Sequence, residues 1–318
     1  MGLITKKNGL ILLGLVATFV IVQVLRSANI INSFHEITIA TICINIILAT
    51  SLNLITGFTG QFSLGHAGFM SIGAYTCGLI VIANPTVVGF IIGILAGGVA
   101  SAIVGILIGI PTLKLKGDYL AIATLGLAEI IKVIFLNLEI TGGAAGLSGI
   151  PRLATWPWLF SIAVITVVVM NNFIKSSQGR ACIAIREDEI ASEAMGVNST
   201  KYKIMVFSLG AFFAGVAGAL YAAYFYFLKP TSFGFMKSVD VLVMVVLGGL
   251  GSLTGSVVAA ILLSLITTFL QSFTAVRMIL YALVLVVLMI FKPKGLMGTA
   301  EISDLIKNFS LHRKGKVE

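Results

Sequence analysis

Charged side chains are scarce in this chain. They make up 10% of its 318 residues, where a soluble domain carries about 25%. So large a deficit excludes an ordinary soluble protein. Cysteine is scarce too, and Cys43, Cys77 and Cys182 are far apart with no paired spacing, which excludes a disulfide framework and a cysteine metal knuckle. The phosphate-binding pattern G-x-x-x-x-G-K-[ST] is absent, so this chain does not hydrolyse nucleotides by that route. HExxH, a nucleophile elbow and paired intramembrane carboxylates are also missing. We therefore expect no catalytic residue, no metal site and no cofactor of its own.

What is abundant is apolar. Hydrophobic residues reach 58% and the mean hydropathy is +1.09, the composition of an all-α integral membrane protein. The net charge of +9 is then an orientation signal, since basic loops stay on the cytoplasmic side. No nucleic-acid partner is implied.

Runs long enough to span about 30 Å of hydrocarbon fall near 9–25, 37–56, 66–83, 87–110, 119–138, 157–174, 204–227 and 276–291, with a long stretch at 239–270. As a single helix that stretch would be about 48 Å long, more than a normal tilt accommodates. The glycines of GGLGS (Gly248 to Ser252) predict a bend, hence two helices and about ten spans. Charge parity agrees: ten spans leave about 15 basic residues inside against Arg26, Arg152, Lys229, Lys237 and Arg277 outside, whereas nine spans leave the sides nearly equal. Both termini are then cytoplasmic. Lys6 and Lys7 precede an apolar run longer than a secretory core, and Arg26-Ser27-Ala28 is a poor cleavage site, so the first run is expected to stay as a span. The whole chain, 1–318, reads as one polytopic domain: a transmembrane body over 9–291, a charged loop over 175–203 and a tail over 292–318.

That loop, KSSQGRACIAIREDEIASEAMGVNSTKYK, is the one long run of charge. Glu187, Asp188 and Glu189 suit a helix's first turn, Ile190, Ala191, Ala194 and Met195 provide an apolar face with Glu193 on the polar side, and Gly196 is a stop signal. A helix over 187–196 is too short to be stable alone. It must rest on the membrane body or in a groove of a partner, unless it is only a solvated connector.

A second segment, NLITGFTGQFSLGHAGFMSIGAY (Asn53 to Tyr75), carries too many glycines and polar groups for a lipid-facing helix. Asn53, Gln61, Ser63, His66 and, from the fifth span, Thr124 and Glu129 are candidates for lining a solute path. For His66 the alternative is a helix-end hydrogen bond. For Glu129 it is an internal ion pair with Lys132, one turn away on the same face. The loop EITGGAAGLSGIPRLATW (Glu139 to Trp156) suits an external docking surface or gate.

Five blocks in order, GFTGQFSLGHAGFMSIGAY, GDYLAIATLGLAEI, TGGAAGLSGIP, GRACIAIREDEIASEAMGVNSTKYK and LGGLGSLTGSVVAA, resemble the branched-chain amino-acid permeases of ATP-binding-cassette (ABC) importers, LivM type. The fourth resembles their cytoplasmic coupling loop, although Ile190 stands where the broader importer pattern E-A-A-x-x-x-G has Glu. The resemblance implies internally repeated halves and a multi-pass protein of the cell inner membrane. It further implies a second related permease subunit, two ATPase subunits that hold the ATP and magnesium, and an extracytoplasmic solute-binding protein. The implied cargo is leucine, isoleucine or valine, moved inward. Similar permeases carry urea and short amides. An ion-coupled secondary transporter remains the alternative of another class; it would be expected to show several intramembrane carboxylates.

Overall fold

A computed structural model describes residues 6–28, 32–113, 115, 117–270, 283, 286, 290 and 295–298. The apolar runs become helices α1 (Lys6–Ser27), α2 (Ser33–Thr59), α3 (His66–Ala83), α4 (Val87–Thr112), α5 (Asp118–Asn137) and α6 (Trp156–Lys175). The charged loop contributes α7 (Ser177–Glu187) and α8 (Glu189–Ala194), followed by α9 (Ser199–Phe225), α10 (Phe235–Gly248) and α11 (Leu253–Phe269). Side-chain oxygens start several of them: Thr86 accepts from Gly89 N, Ser176 from Gly179 N, Asn198 from Lys201 N and Ser252 from Gly255 N. Each satisfies an N–H that the first helical turn leaves without a partner.

Among the described residues, seven stretches are long and apolar enough to cross a membrane: α2 to α6, α9, and α10 together with its leading turn (Pro230–Gly248). The Val16–Ser27 stretch of α1 and α11 are apolar but shorter. The expected span at 276–291 falls almost wholly outside the described residues, as does the tail over 299–318. The stretch at 239–270 does bend at its glycines, with α10 ending at Gly248 and α11 starting at Leu253. Gly248, Gly249, Gly251 and Ser252 are buried there, as exposed backbone in lipid would forbid any other placement.

The core is built on α2, α3 and α9, which are buried on most sides. Small residues let these helices touch: a methyl on Gly73 of α3 would lie 2.0 Å from the Gly215 carbonyl oxygen of α9. Backbone contact of this kind replaces the hydrophobic drive that lipid cannot supply. Opposite the charged loop, β1 (Leu147–Ser148) pairs antiparallel with β2 (Phe227–Leu228), tying the loop after α5 to the end of α9.

Candidate docking segment and translocation path

The charged loop folds as two helices rather than the single helix expected over 187–196. Glu187 closes α7, and Asp188 turns extended (φ −154°, ψ 110°). The cause is a competing hydrogen bond, because the Asp188 carboxylate accepts from Ala191 N at 3.0 Å and caps α8. Glu187 therefore leaves the first turn assigned to it and pairs with Arg186. Gly196 is the expected stop, at φ +85°.

The acids are held inward or sideways. Glu189 accepts from Lys203 Nζ at 2.5 Å and Glu193 accepts from Ser199 Oγ. Ser192 is the buried residue of α8, whereas Ile190 is 77% and Met195 85% exposed. Ala191 and Ala194 are exposed beside them. An apolar patch thus crowns a segment whose charges are already engaged. Below it, Cys182 is buried on α7, and burial pushes its thiol up to about 11.

Arg186 is the residue that sequence reasoning missed, having been counted only as a basic loop charge. Its Nη1 donates to the carbonyl oxygen of Gly57, in the last turn of α2, at 2.7 Å. The same nitrogen would lie 2.8 Å from a methyl on Gly251. Three sequence blocks, around Gly57, Arg186 and Gly251, therefore meet at the end of α7.

The candidate path residues split into groups. Asn53 is fully buried and saturated: Nδ2 donates to Ser252 O and Ser256 Oγ at 2.8 Å each, and Oδ1 accepts from Gly251 N at 3.0 Å. It is a clamp on the bend between α10 and α11. Thr124 accepts from Leu64 N at 3.0 Å, and Ser63 accepts from Gly65 N at 3.4 Å. These two hold the irregular entry to α3.

Gln61 and His66 differ. Gln61 Nε2 donates to Lys203 O at 3.4 Å, but Oε1 is buried with no partner among the described residues. His66, the first residue of α3, meets Ser51 Oγ of α2 at 2.9 Å through Nε2, a bond between two helices, while Nδ1 is buried without a partner among the described residues.

Glu129 stands apart from that group. One carboxylate oxygen pairs with Lys132, and the other accepts from Phe235 N at 3.2 Å, at the first residue of α10. The structure thus contains the internal ion pair and adds a helix cap, placed where an anion suits the helix dipole. Lys237, read above as an outer loop charge, lies inside α10, and its Nζ donates to Asn45 Oδ1 of α2 at 3.2 Å. The spacing Lys237-x-x-Asp240, the same three-residue step as Glu129 to Lys132, was the available signal.

Comparison with known proteins covers this whole arrangement. A family model described as "Branched-chain amino acid transport system / permease component" matches residues 35–292. The high-affinity branched-chain amino acid transport system permease protein LivM of Salmonella typhimurium is 37% identical, over 82% of this chain and 70% of its own length. LivM of Escherichia coli is 36% identical over 86% and 72%. LivH of Escherichia coli, a permease protein of the same kind of system, is 24% identical over 81% and 92%. No solved structure matches. With a family match reaching from α2 past α11 and these relatives in view, the chain belongs to the permease component family of branched-chain amino acid transport systems.

Proposed function

We propose that this multi-pass membrane protein is the permease subunit of an ABC uptake system for branched-chain amino acids. The observation that carries this is the family match over 35–292, which includes the α7–α8 segment with its exposed Ile190 and Met195. A charged loop that engages its own acids in ion pairs, a cap and a hydroxyl bond while leaving apolar side chains exposed has the character of an unoccupied docking face. The occupant is an ATPase subunit, one of two, which supplies the ATP and magnesium chemistry that this chain has no motif to perform. Ile190, Ala191, Ala194 and Gly196 form the contact, and Glu187, Asp188, Glu189 and Glu193 shape it.

In this reading the chain is one domain, 1–318, with about ten spans, internally repeated halves, a body over 9–291, a docking loop over 175–203 and a tail over 292–318. Both termini lie in the cytoplasm and the membrane is the inner one. A second permease of the LivH kind completes the pathway, and an extracytoplasmic binding protein delivers leucine, isoleucine or valine. Gln61 and His66, whose buried polar atoms lack partners among the described residues, are the path residues we favour. Asn53, Ser63, Thr124 and Glu129 support them.

The test is the purified complex. A tagged chain should bring down a Walker-type ATPase, and proteoliposomes should accumulate leucine with ATP inside and binding protein outside. Leucine uptake that persists without the ATPase would overturn the reading in favour of ion coupling. Uptake of urea in place of leucine would move the cargo and keep the class.

A further inference from the structure

The side of the protein that carries β1 and β2 holds a second polar cluster, apart from the docking segment and the candidate path residues. Between the ends of α1, α2, α6 and α9 lies a cavity of about 180 Å³. Trp156 and Tyr224 line it with their rings; Trp156 Nε1 has no hydrogen-bond partner among the described residues, while Tyr224 lies against Arg152. Their side chains are 8% and 6% exposed.

The charges on its wall define a ligand. Arg26 Nε pairs with Glu36 Oε1 at 2.7 Å, and Arg152 Nη2 approaches Glu36 Oε2 at 3.6 Å. Arg152 also stacks over the Tyr224 ring, 4.6 Å from its centroid. Two guanidiniums share one carboxylate, leaving one surplus positive charge, and both oxygens of Glu36 are already engaged. A zwitterion would need a free acid for its ammonium, and the described residues lining the cavity offer Glu36 alone. A monoanion fits.

The remainder of the lining is apolar, with Val22 of α1, Ile39 of α2 and Leu159 of α6. Trp156 and Trp158 begin α6, at the depth where tryptophan marks a membrane interface. Along α1, Val20, Ile21 and Val24 are exposed, as lipid-facing residues would be.

From this we infer that the cavity binds the headgroup of an anionic phospholipid. Its phosphodiester sits between Arg26 and Arg152, beside the rings of Trp156 and Tyr224, and an acyl chain runs along α1. The lipid cements the peripheral helix α1 to α6. The contacts between these two include ring contacts of Phe19 with Trp156 and Phe160.

Native mass spectrometry tests this on the full-length protein with the subunits that co-purify. After delipidation, phosphatidylglycerol and phosphatidylcholine are added back in turn. Wild-type protein should retain one more phosphatidylglycerol than the Arg152→Gln variant, with at least tenfold weaker retention in the variant and rescue by Arg152→Lys. Phosphatidylcholine should show no such difference. Equal retention of both lipids by the wild type, which needs no variant to fold, would overturn the inference. So would displacement of the lipid by glycerol phosphate, which would make this a free-phosphate site, or by leucine, which would make it a solute site.

Discussion

Arg186 Nη1 donates to the Gly57 carbonyl at 2.7 Å, joining the α7–α8 segment to the last turn of α2. Because Gly251 lies against the same guanidinium and against Asn53, one side chain links the docking segment to the bend between α10 and α11. We expect Arg186→Ala to remove a charge-assisted hydrogen bond of about 1.5–3 kcal/mol. Assembly with the ATPase should survive, but stimulation of ATP hydrolysis by loaded binding protein should fall several-fold. Unchanged stimulation would reduce Arg186 to a packing role.

Gly57 tolerates no side chain. A methyl there would lie 1.8 Å from Asn53 Oδ1 and 2.4 Å from Gly251 N. Gly57→Ala must break the Asn53 clamp as well as overpack, each at about 1–3 kcal/mol. Folded protein recovered by size exclusion in detergent should drop sharply and its melting temperature should fall by several degrees. A wild-type melting curve would contradict the contact.

Removing one partner of a membrane-embedded pair is worse than removing both. Glu129→Gln leaves Lys132 unpaired and weakens the α10 cap, so expression should fall; Glu129→Gln with Lys132→Met should recover much of it. If the double variant also transports leucine normally, Glu129 has no part in the path. A well-expressed but inactive double variant would return it there.

Ala194 is exposed on α8, so a charged side chain there should not disturb folding. In the ATPase groove the same charge would be desolvated at a cost of several kcal/mol, and a loss of about 3 kcal/mol weakens association roughly a hundredfold. Ala194→Arg should therefore be present in the membrane yet lose ATPase co-purification and uptake together. Retention of the ATPase would show that the segment is only a connector.

Topology can be read with thiol reagents because the native background is quiet. Cys43, Cys77 and Cys182 are all buried. Cys182 is also raised to about 11, so it is protonated below that pH, and at pH 8 the reactive thiolate is about one part in a thousand. Cysteines introduced at Ser177 and Ser310 should be protected from impermeant maleimide in sealed cells. Ser310 is outside the described residues, and its labelling from outside would sink the ten-span arrangement.

Composition and run length alone determined that this is a helical membrane protein, and where most helices lie, because burial of apolar side chains and saturation of the backbone in lipid leave one solution. The bend at Gly248 to Ser252 was legible from the length that a single helix would need, and Gly196 as a stop from its backbone freedom. The split of the charged loop was not, since both an acidic first turn and an Asp188 cap fit the same letters, and only the chain's path decided which hydrogen bond formed. Neither could Asn53 be recognised as a clamp, Lys237 as a partner of Asn45, or Arg186 as the link to Gly57. Those contacts join residues 129 to 203 positions apart. Local periodicity carries no record of them, because tertiary packing chooses which distant backbone groups a side chain can reach.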